Sequence, residues 1–404
     1  MQALPLFSIL ICSVGKTELV EGAIHSITSQ NFDDVEIIVT DTSGTNSIRS
    51  LVESLDDNRI HFYEVPELDP TIGWEFAYTK STGRYVLWYD DDNQLIPGSL
   101  AQYAKIITEQ GADIVSANHV YYFGEGNRHD PGHDNALTVL LPYSGTTKVY
   151  DRDTLLSAVS DLRMGRPAMP ARWHSAATFV SRDICEQAER DVGYIVAPHM
   201  YGNYTLHPLI FWYAKKPLYY DQPLCVIGKF ASSITQQWSN TFVKPRRIST
   251  LPYRYTGVSV RTLGNTTAEC YLKVQHDLPA LERYPFNWET FYRRYISELL
   301  FLKIPFGRHL HAWREAWRAV ARTEPSARRR LRRQILKQFT QSLGLRLLRA
   351  VHVWDAARSR MRGAIPRNDN RKTIPLSPYG IHTIDECAQR LDEVLSQALG
   401  VRFQ

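Results

Sequence analysis

At 404 residues, 44% hydrophobic and 22% charged, the chain has the length of two or three domains and the balance of an ordinary globular protein. Collagen-like, mucin-like and largely disordered classes are excluded. The net charge of +5 is unevenly placed: Arg293–Lys372 holds 21 Lys+Arg against 5 Asp+Glu, and the remainder holds 26 against 37. An acidic body is therefore joined to a basic stretch suited to an anionic partner.

Short apolar runs alternate with helical periods from Phe7 to His119. Strands are expected at Phe7–Cys12, Glu36–Thr40, Ile60–Val65, Tyr85–Tyr89 and Asp113–His119, and helices at Leu19–Gln30, Ile48–Leu55, Trp74–Ser81 and Ser99–Gln110. This alternation predicts an α/β fold with a mostly parallel sheet, whose ligands sit beyond the carboxyl ends of the strands. Gly124–Tyr143, rich in Gly, Asp, His, Asn and Pro, reads as a long loop. Strands at Arg172–Val180 and Leu218–Ile227 are expected to flank a helix at Tyr204–Ala214.

The domain reading is a catalytic body over 1–230, a connection over 231–290 and a basic, mainly helical region over 291–404. In that last region Leu331, Ile335, Phe339 and Leu343 recur every four residues among arginines, the pattern of an amphipathic helix. A Pro/Asn-rich break at Ile365–Pro378 precedes a final helix, Ile384–Leu399. Five scattered cysteines without a CxxC pair suit a reducing compartment. No apolar run reaches the roughly 18–20 residues of a membrane span, and Leu4–Val14 reads as a buried strand, not a signal peptide. A cytoplasmic protein is expected.

Asp90, Asp91 and Asp92 follow the apolar run Tyr85–Tyr89. Three adjacent carboxylates repel one another, and a divalent cation offsets that cost. Mg²⁺ and Mn²⁺ prefer carboxylate oxygen and are shared with substrate phosphates. A solvated turn is the plain alternative. Asp41 ends the second strand, and the first ends in Cys12-Ser13-Val14-Gly15-Lys16. On one sheet edge, small residues admit a ligand close to the backbone, Asp41 accepts hydrogen bonds from a base or ribose, and the triplet holds a metal-bound diphosphate. Neither GxGxxG after the first strand nor GxxxxGK[ST] is present, which argues against a dinucleotide cofactor or a P-loop.

Phe7-Ser-Ile-Leu-Ile11, Ala23-Ile-His-Ser-Ile-Thr-Ser-Gln30, Glu36-Ile-Ile-Val-Thr-Asp41, Ser81–Asp92 and Leu95-Ile-Pro97, in this order and spacing, resemble the family 2 glycosyltransferases over about Phe7 to Lys229. The resemblance implies a GT-A (Rossmann-like) catalytic domain followed by a helical C-terminal region. It implies inverting transfer of a sugar from a nucleotide-sugar donor to a glycan acceptor, free or lipid-linked, as in bacterial surface polysaccharide synthesis. Ser13, Val14, Gly15, Asp41, Thr42, Trp74, Glu75, Asp90 and Asp91 would then bind the donor. Asp92 and Asp90 would bind Mn²⁺ or Mg²⁺, with His174 a further candidate ligand. Trp74-Glu75 looks like the donor-side helix of relatives with an Asp-Asp-Asp motif, although Trp74 as core and Glu75 as a solvated carboxylate are the plain readings.

The first turn and Asp41-Thr42 depart from the family's common Pro-Thr-Tyr-Asn and Asp-Asp, which leaves the donor base open. Pro198-His199-Met200-Tyr201 matches a Pro-Asp pair of relatives. This makes His199 the candidate base, since an imidazole with a pKa near about 6.5 accepts a proton at neutral pH. His207 and Asp191 are the alternatives. The basic helices suit the anionic inner face of the cytoplasmic membrane, or else pack on the body. No nucleic-acid partner is expected, because the acidic body repels a polyanion and no recognised module adjoins the arginines. The alternatives to an enzyme are a donor-binding scaffold without activity and an arginine-rich nucleic-acid-binding protein.

Overall fold

The computed structural model describes residues 4–67, 69–125, 134–140, 143–163, 173–230, 253–300, 306–350 and 371–400. Phe7–Ser13 (β1) and Val35–Asp41 (β2) are buried at every position. This is the condition that makes a parallel strand covered on both faces read as a continuous apolar run. Between them Thr17–Thr28 (α1) buries Val20, Ala23, Ile24 and Ile27 on one stripe. Ser47–Leu55 (α2) and Ile60–Glu64 (β3) follow.

The next helix is Pro70–Lys80 (α3), four residues longer at its start than the apolar pattern from Trp74 suggests. Asp69 caps it by accepting from the Thr71 N–H, and Pro70 occupies the first helical position, where no N–H is needed. Tyr85–Asp90 (β4), Asn93–Leu95 (β5), Ser99–Gln110 (α4) and Ile114–Phe123 (β6) complete the first half.

The segment expected to be a long loop holds a strand, Ala136–Leu140 (β7), because Leu137-Thr-Val-Leu buries two hydrophobic side chains against β6. Residues 126–133 and 141–142 of that segment lie outside the described residues. Thr147–Val149 (β8) and Arg152–Ser160 (α5) follow. The strand expected from Arg172 begins only at Thr178: Ser175–Ala177 is a short 3₁₀ turn, and Thr178–Ser181 (β9) runs antiparallel between β4 and β6. Arg182–Val192 (α6), Gly202–Tyr213 (α7) and Pro217–Lys229 (β10) close the body.

The sheet runs β7-β6-β9-β4-β1-β2-β3, parallel through β4-β1-β2-β3, with β10 parallel to β6 along its length. Helices α1 and α4 cover one face and share its core with Ile9, Ile11, Ile37 and Leu87. The other face, with Leu10, Ile38 and Trp88, continues without a break into the C-terminal helices. These are Leu263–Asp277 (α8), Trp288–Leu300 (α9), Phe306–Ala319 (α10) and Pro325–Ala350 (α11). Helix α8, within the segment read as a connection, packs on α7.

The apolar stripe of α11 faces inward: Leu331 and Ile335 are buried in that core, and Phe339 stacks edge-on against Trp313 at 5.7 Å. Arg330 pairs with Glu289 of α9 at 2.9 Å. Of the two readings of these helices, packing on the body therefore holds for Leu331, Ile335 and Phe339.

The C-terminal region is also not wholly helical. Within the Pro/Asn-rich break, Arg371–Pro375 (β11) adds an antiparallel edge strand to β7, and 351–370 lies outside the described residues. The expected last helix is two, Ile384–Gln389 (α12) and Leu391–Leu399 (α13), the first held by a Thr383/Glu386 capping box. They share a third core with Val120, Tyr122 and Leu137. All five cysteines are buried free thiols. No helix among the described residues is long and apolar enough to cross a membrane.

Candidate functional site

Register fixes the heart of the site. Ser13 of β1 sits opposite Asp41 of β2, and Cys12 sits opposite Asp90 of β4, so the three strand ends reach one edge at one level. Gly15 turns the chain there at a φ of +91°, a conformation that side-chain-bearing residues rarely adopt. The turn folds back on itself: Ser13 Oγ accepts from the Gly15 and Lys16 N–H groups and donates to Asp91 Oδ2 at 3.0 Å. Lys16 Nζ lies 4.0 Å from Asp91 Oδ1. Thr42 is buried and donates to the Ser13 carbonyl, while Asp41 is buried with its carboxylate taken up by the Ser43 N–H and hydroxyl. Val14 lies half-buried in the same turn.

The triplet carries strong electrostatic tension. Burial, then Asp92 and Asp91, push the Asp90 carboxyl up to about 7, against the pull of Lys229 and Asn93. Burial raises Asp91 to about 6 despite Lys16, which lowers it. Two lysines, Lys16 and Lys229, thus face the carboxylates from β1's turn and the end of β10. Asp90 and Asp92 offer the hard, anionic oxygens that Mg²⁺ or Mn²⁺ prefers, and these ions commonly take only one or two carboxylates beside substrate phosphates. Among the described residues no group of three His, Cys, Asp or Glu is arranged around a metal position. The donor set fits a cation shared with a diphosphate and does not fit an all-protein cage.

The turn is clamped from below by β10, whose Gly228 N–H donates to the Asp92 carbonyl at 2.9 Å. A Cβ at Gly228 would collide with that carbonyl oxygen. Gly228→Ala is expected to cost about 1–3 kcal/mol by overpacking and to displace Asp92. Urea denaturation checks the first effect and loss of Mn²⁺ binding the second.

The candidate base lies across from this edge. His199 holds a left-handed φ of +60°, its N–H donates to Thr71 Oγ1 at 2.9 Å, and its Nδ1 lies 2.9 Å from Asp69 Oδ2. Asp69 is buried and also accepts from the Thr71 hydroxyl at 2.7 Å, whereas the His199 side chain is 53% exposed. A carboxylate accepting from Nδ1–H leaves Nε2 as the ring's acceptor. Asp69 belongs to the same end of the sheet: burial pushes the Cys12 thiol well up, and Asp91, Asp90 and Asp69 add to it. Asp69 and Lys229 escaped the sequence reading. Asp69-Pro70 has the form of a helix start, a signal the apolar pattern from Trp74 passes over, and nothing local links Asp69 to His199.

Other expected site residues lie elsewhere. Trp74 is buried beneath the 195–202 loop, where a Cβ on Gly202 would come within 2.7 Å of its ring. The neighbouring Glu75 accepts from the Ile195 N–H at 2.7 Å and from the Val196 N–H. Both residues hold the loop that carries His199, and the Glu75 carboxylate is taken up by that loop's backbone. Asp191, in the last turn of α6, accepts from Tyr213 at 2.7 Å as a helix-end carboxylate. His207 is buried on α7 with Nδ1 against the Asn203 carbonyl and, among the described residues, no partner at Nε2; burial lowers it to about 4.

His174 Nδ1 accepts from the Ala176 N–H at 3.3 Å, which puts the neutral ring's proton on Nε2, where it donates and does not ligate. Burial holds this imidazole well below its usual range, and Lys229 and His207 depress it further. It suits a donor to anionic oxygen and does not suit a third metal ligand.

Burial raises the Glu75 carboxyl to about 7, against the two backbone N–H donors. The folded state then holds this proton more tightly than the unfolded chain, near 4.5. Glu75 therefore costs stability as pH rises through the window from about 4.5 to 7. Glu75→Gln is expected to gain on the wild type by on the order of 1–3 kcal/mol between pH 5 and 8, read by urea denaturation at both pH values.

Residues 8–169 match the family described as "Glycosyl transferase family 2". Over 102 residues the chain is 31% identical to the GalNAc(5)-diNAcBac-PP-undecaprenol beta-1,3-glucosyltransferase of Campylobacter jejuni, covering 24% of this chain and 33% of that protein. The chain thus spans about a third of that relative's length. The fold is similar to that of S. aureus TarS 1–349, solved in complex with UDP-GlcNAc. The TM-score is 0.51 and the identity 13%, over 84% of this chain and 91% of that one.

Proposed function

Since residues 8–169 match the glycosyl transferase family 2 model, we propose that the chain transfers a sugar, with inversion, from a nucleotide-sugar to a glycan acceptor of bacterial polysaccharide synthesis. The relative that acts on an undecaprenol-linked glycan supports a lipid-linked acceptor, and hence work at an anionic membrane surface. The observation that carries the reading is the pairing of two features at one sheet end: the registered edge Ser13–Asp41–Asp90 and the Asp69–His199 pair.

In this reading the first turn and Asp41 hold the nucleoside. Asp90 and Asp92 would hold Mg²⁺ or Mn²⁺, which supplies charge neutralisation on the departing diphosphate. Lys16 and Lys229 flank the same position and add positive charge, and His174 Nε2–H donates to an anionic oxygen. His199 Nε2 accepts the proton of the acceptor hydroxyl as its oxygen bonds to the anomeric carbon. The bond from that carbon to the diphosphate breaks on the opposite face, its electron pair leaving with the nucleoside diphosphate. Asp69 holds the ring in the accepting tautomer and stabilises the imidazolium that forms.

The test is a panel of nucleotide-sugars incubated with the chain and Mn²⁺, with release of nucleoside diphosphate measured. Turnover of one donor above the rest is the expected result; no release from any donor would sink the proposal.

A further inference from the structure

With the apolar stripe of α11 consumed by packing, its outward face is left to do something else. That face carries Arg329, Arg333, Leu336, Lys337 and Thr340, spaced three and four residues apart on the side opposite Leu331 and Ile335. Leu336 is 56% exposed. Alongside, α10 presents Arg314, Trp317 and Arg318, with Trp317 37% exposed. The Arg332 guanidinium lies 4.8 Å from the Trp317 ring centre and joins the two helices into one surface. Residues 306–350 hold 12 Lys+Arg and 2 Asp+Glu. Of those two acids, Glu315 is engaged by Ser259 and His311. Among the described residues Arg314, Arg318, Arg329, Arg333 and Lys337 make no ion pair, in contrast to Arg330, which is held by Glu289.

We infer that the outward face of α10 and α11 docks on an anionic lipid surface, with Trp317 and Leu336 seated at the headgroup boundary and the five free cations around them. The chemistry is two-part. A positively charged face without acidic counterparts gains roughly 1 kcal/mol per Lys or Arg near an anionic bilayer. An exposed Trp and Leu within it add apolar burial at the level where an indole ring settles best. A polynucleotide would use the charges but leave Leu336 without a role. The inference deepens the reading of a lipid-linked acceptor and rests on it for its purpose, but the contact itself is independent of catalysis.

The test is co-sedimentation of the full chain with phosphatidylcholine vesicles, with and without phosphatidylglycerol, beside binding to single-stranded RNA at the same salt. The wild type is expected to bind only the anionic vesicles. R329Q/R333Q/K337Q is expected to bind them roughly 100-fold more weakly, at about fivefold per charge, and Trp317→Ser with Leu336→Ser to weaken binding at unchanged charge. All five positions are solvent-facing, so nucleotide-sugar hydrolysis should persist in both variants. Equal binding to neutral vesicles, undiminished binding by the triple variant, no effect of the Trp317/Leu336 change, or preference for RNA would each overturn the docking face. Absence of hydrolysis in the wild type would instead remove the transferase reading and leave the vesicle result standing.

Discussion

Replacing His199 with alanine is expected to lower the rate of sugar transfer by about 10²–10⁴-fold, the usual contribution of a positioned general base, with donor affinity unchanged. The companion substitution Asp69→Asn is the more discriminating of the two. Asparagine is as good a helix cap as aspartate, so the start of α3 and the Thr71 contact survive. What changes is the partner of His199 Nδ1: the amide neither demands the Nδ1–H tautomer nor stabilises an imidazolium. Turnover should fall with little change in folding stability or donor KM, and the fall should be smaller than for His199→Ala. Equal turnover in Asp69→Asn and wild type would reduce the 2.9 Å contact to a structural one. Normal turnover in His199→Ala would move the base elsewhere.

The second large effect is expected at the triplet. Asp92→Ala should remove Mn²⁺ binding measured by calorimetry and lower transfer by roughly 10³-fold, the equivalent of several kcal/mol of charge stabilisation. Chelation of the wild type should have the same effect and be reversed by Mn²⁺. Asp91→Ala should behave differently: Asp91 is bound to Ser13 and faces Lys16, so its loss should loosen the first turn and raise the donor KM more than it lowers kcat. Full activity of Asp92→Ala in the presence of chelator would dismiss the cation altogether.

These predictions rest on features of unequal legibility in the sequence. The ends of β1, β2 and β4 were readable because each strand is a continuous apolar run that stops at a small or acidic residue, and a parallel sheet gathers such ends on one side. The Asp69–His199 pair was not, because its two halves are 130 residues apart and each looks locally complete, one as a cap and the other as a loop histidine. Trp74 and Glu75 show the converse. Their place on a helix was legible, but which way a side chain turns depends on the 195–202 loop, whose packing no local pattern reveals. The stripe Leu331-Ile335-Phe339 was plain as an amphipathic period, yet periodicity identifies a face and is silent on what covers it. Strand β11 was hidden for a related reason: Pro and Asn surround it, and its partner β7 was itself concealed within a segment of loop composition.

That late strand has a consequence for how the protein is made. Thr138 of β7 meets Thr373 of β11 across 235 residues of chain. At about 5–20 residues per second of synthesis, β7 emerges roughly 12–47 seconds before its neighbour exists. Through that interval the sheet has an open edge beside Leu137 and Val139, the kind of edge other nascent chains pair with. A premature stop between the basic helices and Arg371 would therefore yield a chain with its proposed donor-binding residues all present and this edge permanently uncovered, abundant in aggregates and scarce in solution.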